Sequence, residues 1–495
     1  MIAWLRKTPV TLFVVIQAFL CLWHLNLLSP WGDETVSLRT VQMSVPGLLH
    51  AAAQDIHPPL YYLLLHFWQE LPLGLDTVVQ ARLLSVDFLL ISTVMVDVLW
   101  ARRLLSRGRI AFLTIWTVSP FLLLYSRMCR SYSLQLLVGI LAAACIWNYA
   151  APATRKLQIL TALALVAALY THYVPGIALL GAANLMLIRK RRWTELAQVD
   201  ALVVVAYLPW IGGLWQSVTR WGHDPELYLI TGRSTLEPLV KLGFWVLSFT
   251  IGESQPDAAL LAGLVVAPIL LGLLIVGLRR DRELAWIVVP CALIGFMGVA
   301  RWVSYPFLPA RMIFTYPLLL LLAVRGGLFH RRTGATAWIA MAALSVIGIA
   351  CYFQMTGFRN KEYPLPIREI AAYIERHSAW ADSAILVDST NSDTDALDFA
   401  LGGSRRRLNT GDPAAPQSID SLLADPQVRC IWFLRNTHDV SFLRLDDRFE
   451  RQIGAAMTVT VHPYERFSPL ETRVMRLVGI DPPPVWFHEL LEYRR

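Results

Sequence analysis

Apolar residues fall along this chain in long blocks, separated by short polar turns. Clear blocks cover residues 9–28, 82–101, 108–126, 131–150, 157–171, 173–189, 197–216, 257–278, 284–300, 310–325 and 335–355. A membrane-crossing helix needs about 20 predominantly apolar residues, so the pattern predicts eleven candidate spans. Two weaker blocks, 58–69 ("PPLYYLLLHFWQ") and 238–252, are too short to cross comfortably and read as helices lying in the membrane interface, the first anchored by Trp68 and its tyrosines. The blocks 157–171 and 173–189 are also short, and Pro175 is expected to interrupt the second, so the two could form a re-entrant pair. Beyond residue 360 the pattern changes. A helix "PIREIAAYIERH", a strand "SAILVD", a helix around 393–401, a strand "VRCIWFLRN" and strand-like "MTVTVHP" and "TRVMRLV" predict a small α/β domain.

The positions of Lys and Arg orient the blocks. With the N-terminus inside, Arg6/Lys7, "ARRLLSRGR", Arg155/Lys156, "RKRR" at 189–192, "RRDR" at 279–282 and Arg325/Arg331/Arg332 share the cytoplasmic side. Placing 58–69 across the membrane would move "ARRLLSRGR" to the other side, which is why it is kept at the interface. The chain then leaves the last span near residue 356 on the outer face. The expected organisation is a transmembrane domain, 1–356, whose first outer loop is 29–81, followed by a soluble extracytoplasmic domain, 357–495. Arg6 and Lys7 precede an apolar run without a small-residue cleavage site, so the first block reads as an uncleaved span.

Composition agrees: 56% of the 495 residues are hydrophobic, 16% are charged, and the mean hydropathy is +0.49. The net charge of +8 is uneven. Residues 360–495 carry 20 of the 36 acids but 16 of the 44 bases, which leaves the membrane part at +12. Loop placement accounts for that excess, and with no basic patch interleaved with aromatics it does not indicate nucleic-acid binding. The six cysteines show no metal-site or disulfide spacing. There is no internal repeat and no inverted symmetry of the transporter kind.

This topology gathers a particular set of polar residues on the outer side. The first loop carries Asp33, Glu34, Arg39, Asp55 and His57; "YSRMCRSY" carries Arg127 and Arg130; "YTHY" carries His172; the loop 217–256 carries Arg220, His223, Asp224 and Glu226; "RWVSYPFLPAR" carries Arg301, Tyr305 and Arg311. Guanidinium groups at membrane depth match a lipid phosphate bidentately, and a nearby carboxylate can take the proton of an attacking hydroxyl. Each residue alone has an ordinary reading: loop acids are solvated, arginines at span ends snorkel to headgroups, "HPP" is a rigid turn and His172 caps a helix. Asp87 and Asp97 lie inside the second span, where an acid is a functional candidate by default, yet Arg82 and Arg102 stand close enough in sequence to pair with them.

The order of the motifs is more specific. An Asp-Glu pair after the first span, "HPPLYYLLLHFW", "ARLLSVDFLL", "YSRMCRSYSL" and "PARMIFTYPLLLLLA" together resemble the GT-C-fold glycosyltransferases that use polyprenyl-phosphate sugars, among them the protein O-mannosyltransferases, the lipid A aminoarabinose transferase and the bacterial galacturonosyltransferase-like set. The resemblance covers about residues 1–330. It implies an α-helical polytopic membrane protein with 11–13 spans, a C-terminal outer α/β domain, and an inverting transfer from a polyprenyl-monophosphate donor to a hydroxyl of a lipid, glycan or protein. Asp33 takes the role of base with Glu34 as its partner; Arg127, Arg130 and Arg311 hold the donor phosphate; His57, Tyr61, His172 and Tyr305 line the pocket. Asp33, Glu34 and His57 could bind a divalent ion, although monophosphate donors in this fold often need none. The chain departs from the family at Arg311-Met312, where many relatives have Arg-Tyr, and at "SRMCRSY", which leaves Arg127 and Arg130 as alternatives for the main phosphate contact. No Trp-Trp-Asp motif is present in the C-terminal domain, which argues against an oligosaccharyltransferase. The competing readings are a flippase for a lipid-linked sugar and a non-catalytic membrane scaffold. The crowding of polar residues at one face, away from the midplane, counts against the flippase.

Overall fold

The computed structural model describes residues 10–55, 57–105, 107–149, 154–222, 236–299, 308–379, 381–387, 392–402, 406–409, 415–436, 447–477 and 485–495. They form two compact units. One holds the described residues of Met1–Leu25, Thr40–Leu227 and Pro238–Gly357; the other holds those of Asn26–Arg39, Tyr228–Glu237 and Phe358–Arg495.

In the first unit all eleven apolar blocks lie on helices. Among the described residues, five helices are long and apolar enough to cross a membrane: Thr77–Leu104, Trp193–Thr219, Asp257–Arg280, Pro309–Phe329 and Arg331–Phe353. Arg109–Thr117 and Pro120–Ser126 make a sixth if counted as one broken span, with a bend of 48°. The break follows from the sequence. Proline bars its predecessor from helical geometry; Ser119 is accordingly extended, and its hydroxyl accepts a hydrogen bond from the Leu122 N–H, opening a new helix with Pro120 in the first turn. Pro175, by contrast, does not interrupt its block. It sits in the first turn of Tyr173–Arg189 behind the cap residue His172, where the missing N–H has no intrahelical partner to lose. The block 58–69 becomes the helix Leu60–Gln69; at 1.5 Å per residue its ten residues reach about 15 Å, half the hydrocarbon thickness.

Two constraints fix this unit internally. The helices Asp257–Arg280 and Tyr316–Phe329 approach so closely at Gly277 and Gly326 that a Cβ on either would lie within 2.0 Å of a carbonyl oxygen of the other helix, which is the small-residue packing expected between membrane helices. The second is Asp97, fully buried in a π-helical stretch, Asp97–Ala101. Its carboxylate receives Arg102 Nε at 2.6 Å and a bidentate contact from Arg109 at 2.6 and 3.0 Å. The pairing with Arg102 expected from the sequence is therefore present, joined by a second arginine.

Glu253 is a further buried carboxylate, in the turn after the helix Glu237–Ile251. Tyr125 and Ser248 donate to its Oε1 at 2.7 and 2.6 Å. Burial pushes its carboxyl up to about 7, while the two hydroxyls pull the other way.

The second unit is built on a five-stranded sheet of order β2-β1-β3-β5-β4, with β1 Ser383–Val387, β2 Arg406–Asn409, β3 Cys430–Asn436, β4 Thr458–Arg466 and β5 Trp486–Arg494. Strands β1, β2 and β3 run parallel, and β5 is antiparallel to both β3 and β4. β1 is buried along its whole length, as a strand covered on both faces must be. Ile385 and Val387 join one core with Ile370 and Ile374 of the helix Ile367–His377, and Leu386 joins the other with Ile419 and Ile453. The strand-like "TRVMRLV" is instead part of a helix, Pro469–Leu477. A capping box decides it: the Glu471 N–H donates to Ser468 Oγ at 3.2 Å, and the Ser468 N–H donates to Glu471 Oε2 at 2.6 Å. β5 carries the helix-favouring run Glu489–Glu492 and is a strand because it is flanked by β3 and β4.

Two predictions test these buried groups. Replacing Asp97 with Ala leaves Arg109 charged in an apolar setting and should cost about 3 kcal/mol, read as a lower apparent unfolding temperature in detergent. Glu253 has a raised pKa in the fold, so its contribution is intact below the ordinary carboxylate range and is lost as pH rises through about 7. At about 1.4 kcal/mol per unit the loss is about 3 kcal/mol. Glu253→Gln should therefore remove most of the fall in apparent unfolding temperature between pH 5 and pH 8.

Candidate active site

The stretch "DIHPPLYY" forms a corner that gathers several of the candidate residues. Asp55 ends the helix Val45–Gln54 in extended geometry, the prolines forbid continuation, and Leu60–Gln69 restarts at once. The corner brings Asp55, His57 and Tyr62 together. Asp55 Oδ2 lies 3.0 Å from His57 Nδ1 and accepts from the Tyr62 hydroxyl at 3.1 Å. The Ser217 hydroxyl donates to the Asp55 carbonyl at 2.6 Å, holding the corner in place. On the other side of the ring, Arg130 Nη2 lies 3.1 Å from His57 Nε2, and Arg130 Nη1 lies 3.4 Å from the Tyr62 oxygen. Arginine has only donors and carboxylate only acceptors. His57 therefore accepts at Nε2 and carries its proton on Nδ1, directed at Asp55. Burial holds the imidazole below its ordinary range; Asp55 opposes this, and Arg130 and Arg311 reinforce it. A neutral His57 thus links Asp55 to a buried guanidinium. His57, Pro58, Tyr61, Tyr62, Arg130, Ser131 and Thr171 line a narrow cleft here.

Other expected site residues sort by their partners. His172 packs edge-on against His57 with ring centroids 5.5 Å apart. Its Nδ1 accepts from the Val174 N–H at 3.2 Å, so the neutral ring carries its proton on Nε2, a buried donor with no hydrogen-bond partner among the described residues. Arg311 is buried in the 3-10 turn Pro309–Thr315 and lies near enough to both histidines to act on their charge. The Tyr61 hydroxyl is within 3.1 Å of Ser85 Oγ, which in turn reaches the Arg130 carbonyl at 3.4 Å.

Arg127 is employed differently. Its guanidinium donates to the carbonyls of Leu20, at 3.1 Å, and His24, and it lies 5.0 and 5.1 Å from the Tyr352 and Phe353 rings. Arg82 likewise donates to the Leu25 carbonyl at 3.1 Å. Both donate to carbonyls at and beyond the C-terminus of the helix Val10–Leu22, where no later turn supplies N–H donors.

Asp33 and Glu34 occupy the first turn of the helix Gly32–Val41, in the second unit. Glu34 is buried and Asp33 half-buried, and the Ser37 hydroxyl donates to the Asp33 carbonyl at 3.1 Å. Tyr305 lies outside the described residues, as do Arg301, His223, Asp224 and Glu226. Among the described residues, no three His, Cys, Asp or Glu side chains converge in a way that could hold a metal ion. Sequence reasoning did not single out Asp55 and Tyr62 as partners of His57. The available signal was spacing: an acid two residues before the histidine, and a tyrosine two residues into the helix that the prolines start.

No protein-family model and no curated protein matches this sequence. Among solved structures, it is similar to ArnT from Cupriavidus metallidurans bound to undecaprenyl phosphate, with a TM-score of 0.58 at 15% identity, covering 98% of this chain and 97% of that one. It is also similar to the same protein in the apo state, with a TM-score of 0.59 at 14% identity and the same coverage. The resemblance read from the motifs therefore holds for the architecture over nearly the full length, and the chain is a multi-pass membrane protein of the GT-C fold with a small C-terminal sheet.

Proposed function

We propose that this protein is an integral-membrane glycosyltransferase that moves a hexosyl or pentosyl group from a polyprenyl-monophosphate donor to the hydroxyl of a lipid, glycan or protein, with inversion, at the extracytoplasmic face of the cell membrane. The observation that carries this reading is the buried Arg130, held on a neutral His57 whose charge Arg311 also opposes, with the Nε2–H of the adjacent His172 lacking a partner among the described residues. Arg130 and Arg311 both bear on the charge of the two histidines. Guanidiniums gathered beside a buried N–H donor match the charge and geometry of a phosphate on a membrane-embedded lipid. The likeness in fold to a protein crystallised with undecaprenyl phosphate supports the same ligand class.

In the reaction, the acceptor oxygen attacks the anomeric carbon, the new C–O bond forms as the bond to the phosphate oxygen breaks, and the polyprenyl phosphate leaves with the electron pair. Asp33 takes the acceptor proton, and Glu34 orients it. Arg130 and Arg311 stabilise charge on the departing phosphate, usually the largest electrostatic contribution to such a step. Arg127, engaged with helix carbonyls, is structural in this reading. The N-terminus is cytoplasmic and the sheet domain extracytoplasmic. No metal is assigned a step.

Purified protein given a panel of polyprenyl-phosphate sugars with envelope extract should release free polyprenyl phosphate from one of them. Asp33→Asn should abolish release while leaving donor binding intact, and Arg130→Met should lower kcat about 100-fold or more. Arg127→Met should reduce the yield of folded protein and leave the donor KM of the folded fraction unchanged. Release at the wild-type rate from Asp33→Asn would refute the assignment of the base.

A further inference from the structure

The helix Gly32–Val41 carries the proposed base near its start and Arg39 in its last turn. Arg39 Nη1 lies 2.9 Å from Asp395 Oδ1, and Nη2 reaches Asp398 Oδ2 at 2.8 Å and the Asp395 carbonyl at 3.2 Å. Asp395 and Asp398 stand three residues apart on the helix Ser392–Ala400, so both face one side. Asp398 is almost fully buried. Arg407 of β2 approaches the same two acids, at 3.3 and 3.0 Å, but is the more exposed of the two arginines, with 42% of its side chain accessible against 30% for Arg39. The other end of the segment is fixed as well. Trp31 meets the Tyr363 ring edge-on at 5.1 Å, and Arg368 donates to the Leu27 carbonyl at 3.2 Å. All these partners come from the chain after residue 358.

A ten-residue helix is marginal by itself. Three donor–acceptor contacts from one guanidinium fix rotation and translation of its last turn together, because the planar fork tolerates only one orientation. Asp33 lies six residues back along the same rigid rod, about 9 Å away.

We infer that Asp395 and Asp398 are positioning residues: through Arg39 they set the orientation of the helix that bears Asp33 and Glu34, so that the C-terminal α/β domain is a working part of the catalytic machinery. This rests on the proposed transferase function only in assigning the consequence to catalysis; the clamp itself is independent of it. The effect belongs in kcat, since misplacing a reacting group by about 1 Å can cost 100-fold, and the residues proposed to hold the donor phosphate are elsewhere in the chain.

The test compares full-length Arg39→Met, Asp398→Asn, the double variant and Arg407→Met in detergent. Two readouts are used: hydrogen exchange of the amides of residues 32–41, and release of polyprenyl phosphate. Arg39→Met and Asp398→Asn should each speed exchange in that helix at least tenfold and lower kcat 10- to 100-fold, with the donor KM within twofold of wild type. The double variant should be no worse than either single one. Arg407→Met, which leaves Arg39 on both acids, should keep protection and kcat near wild type. Unchanged exchange in Arg39→Met and Asp398→Asn would overturn the clamp. Faster exchange with undiminished kcat would overturn its catalytic role, as would an equal loss in Arg407→Met, which would mark a general effect on domain stability. If wild-type protein releases no polyprenyl phosphate from any donor, the transferase reading falls, and exchange alone decides the clamp.

Discussion

A guanidinium cannot lose its charge in a protein, so one buried among apolar helices must direct its donors somewhere. The helical unit buries several, and the partners of each differ in kind. Arg109 meets the carboxylate of Asp97. Arg82 and Arg127 meet carbonyls at and beyond the end of the first described helix. In these cases the fold itself supplies the counter-charge or the acceptor. Arg130 meets a neutral imidazole and a tyrosine oxygen. Those partners hold its direction and, being neutral, add no counter-charge of their own.

His57 is central to that arrangement. As a neutral ring it can pass orientation from Asp55 to Arg130 while contributing no charge. Were it protonated, both ring nitrogens would be donors and the contact with Arg130 would become a repulsion. Burial and the two arginines keep the ring neutral, and Asp55 works against them. The carboxylate therefore does more good by receiving the Nδ1 proton and the Tyr62 hydroxyl than it would by pairing with Arg130 directly.

Much of this was legible in the sequence, and the failures have physical causes. The apolar blocks all became helices because twenty apolar residues have few other ways to satisfy their backbone in a membrane. Which of them are long enough to cross was less legible, since block length counts residues that end up in turns: the block 9–28 contains a described helix of only 13 residues. "TRVMRLV" was misread because alternation of apolar residues is a weak signal beside a capping box one turn earlier. The motif arginines were identifiable as a set, but their partners were not: Arg127 donates to helix carbonyls and Arg130 to His57 and Tyr62, and motif order carries no trace of that difference. The pairing of His57 with Asp55 was implicit in two-residue spacing across a proline corner, while the clamp on Arg39 joins residues more than 350 positions apart and leaves no local trace.

That long-range contact changes how the chain divides. By hydropathy the membrane part ends near residue 356, and everything before it reads as one body. By packing, residues 26–39 belong with the sheet domain, and they include the Asp-Glu pair that motif order puts at the chemistry. A membrane helix is held in register by its neighbours and by the bilayer, whereas this short polar helix also draws on residues after 358. The α/β domain supplies an aromatic face at Tyr363, a guanidinium at Arg368 and a pair of carboxylates at Asp395 and Asp398. The proposed base therefore stands on an element whose order comes from polar and aromatic contacts within its own unit.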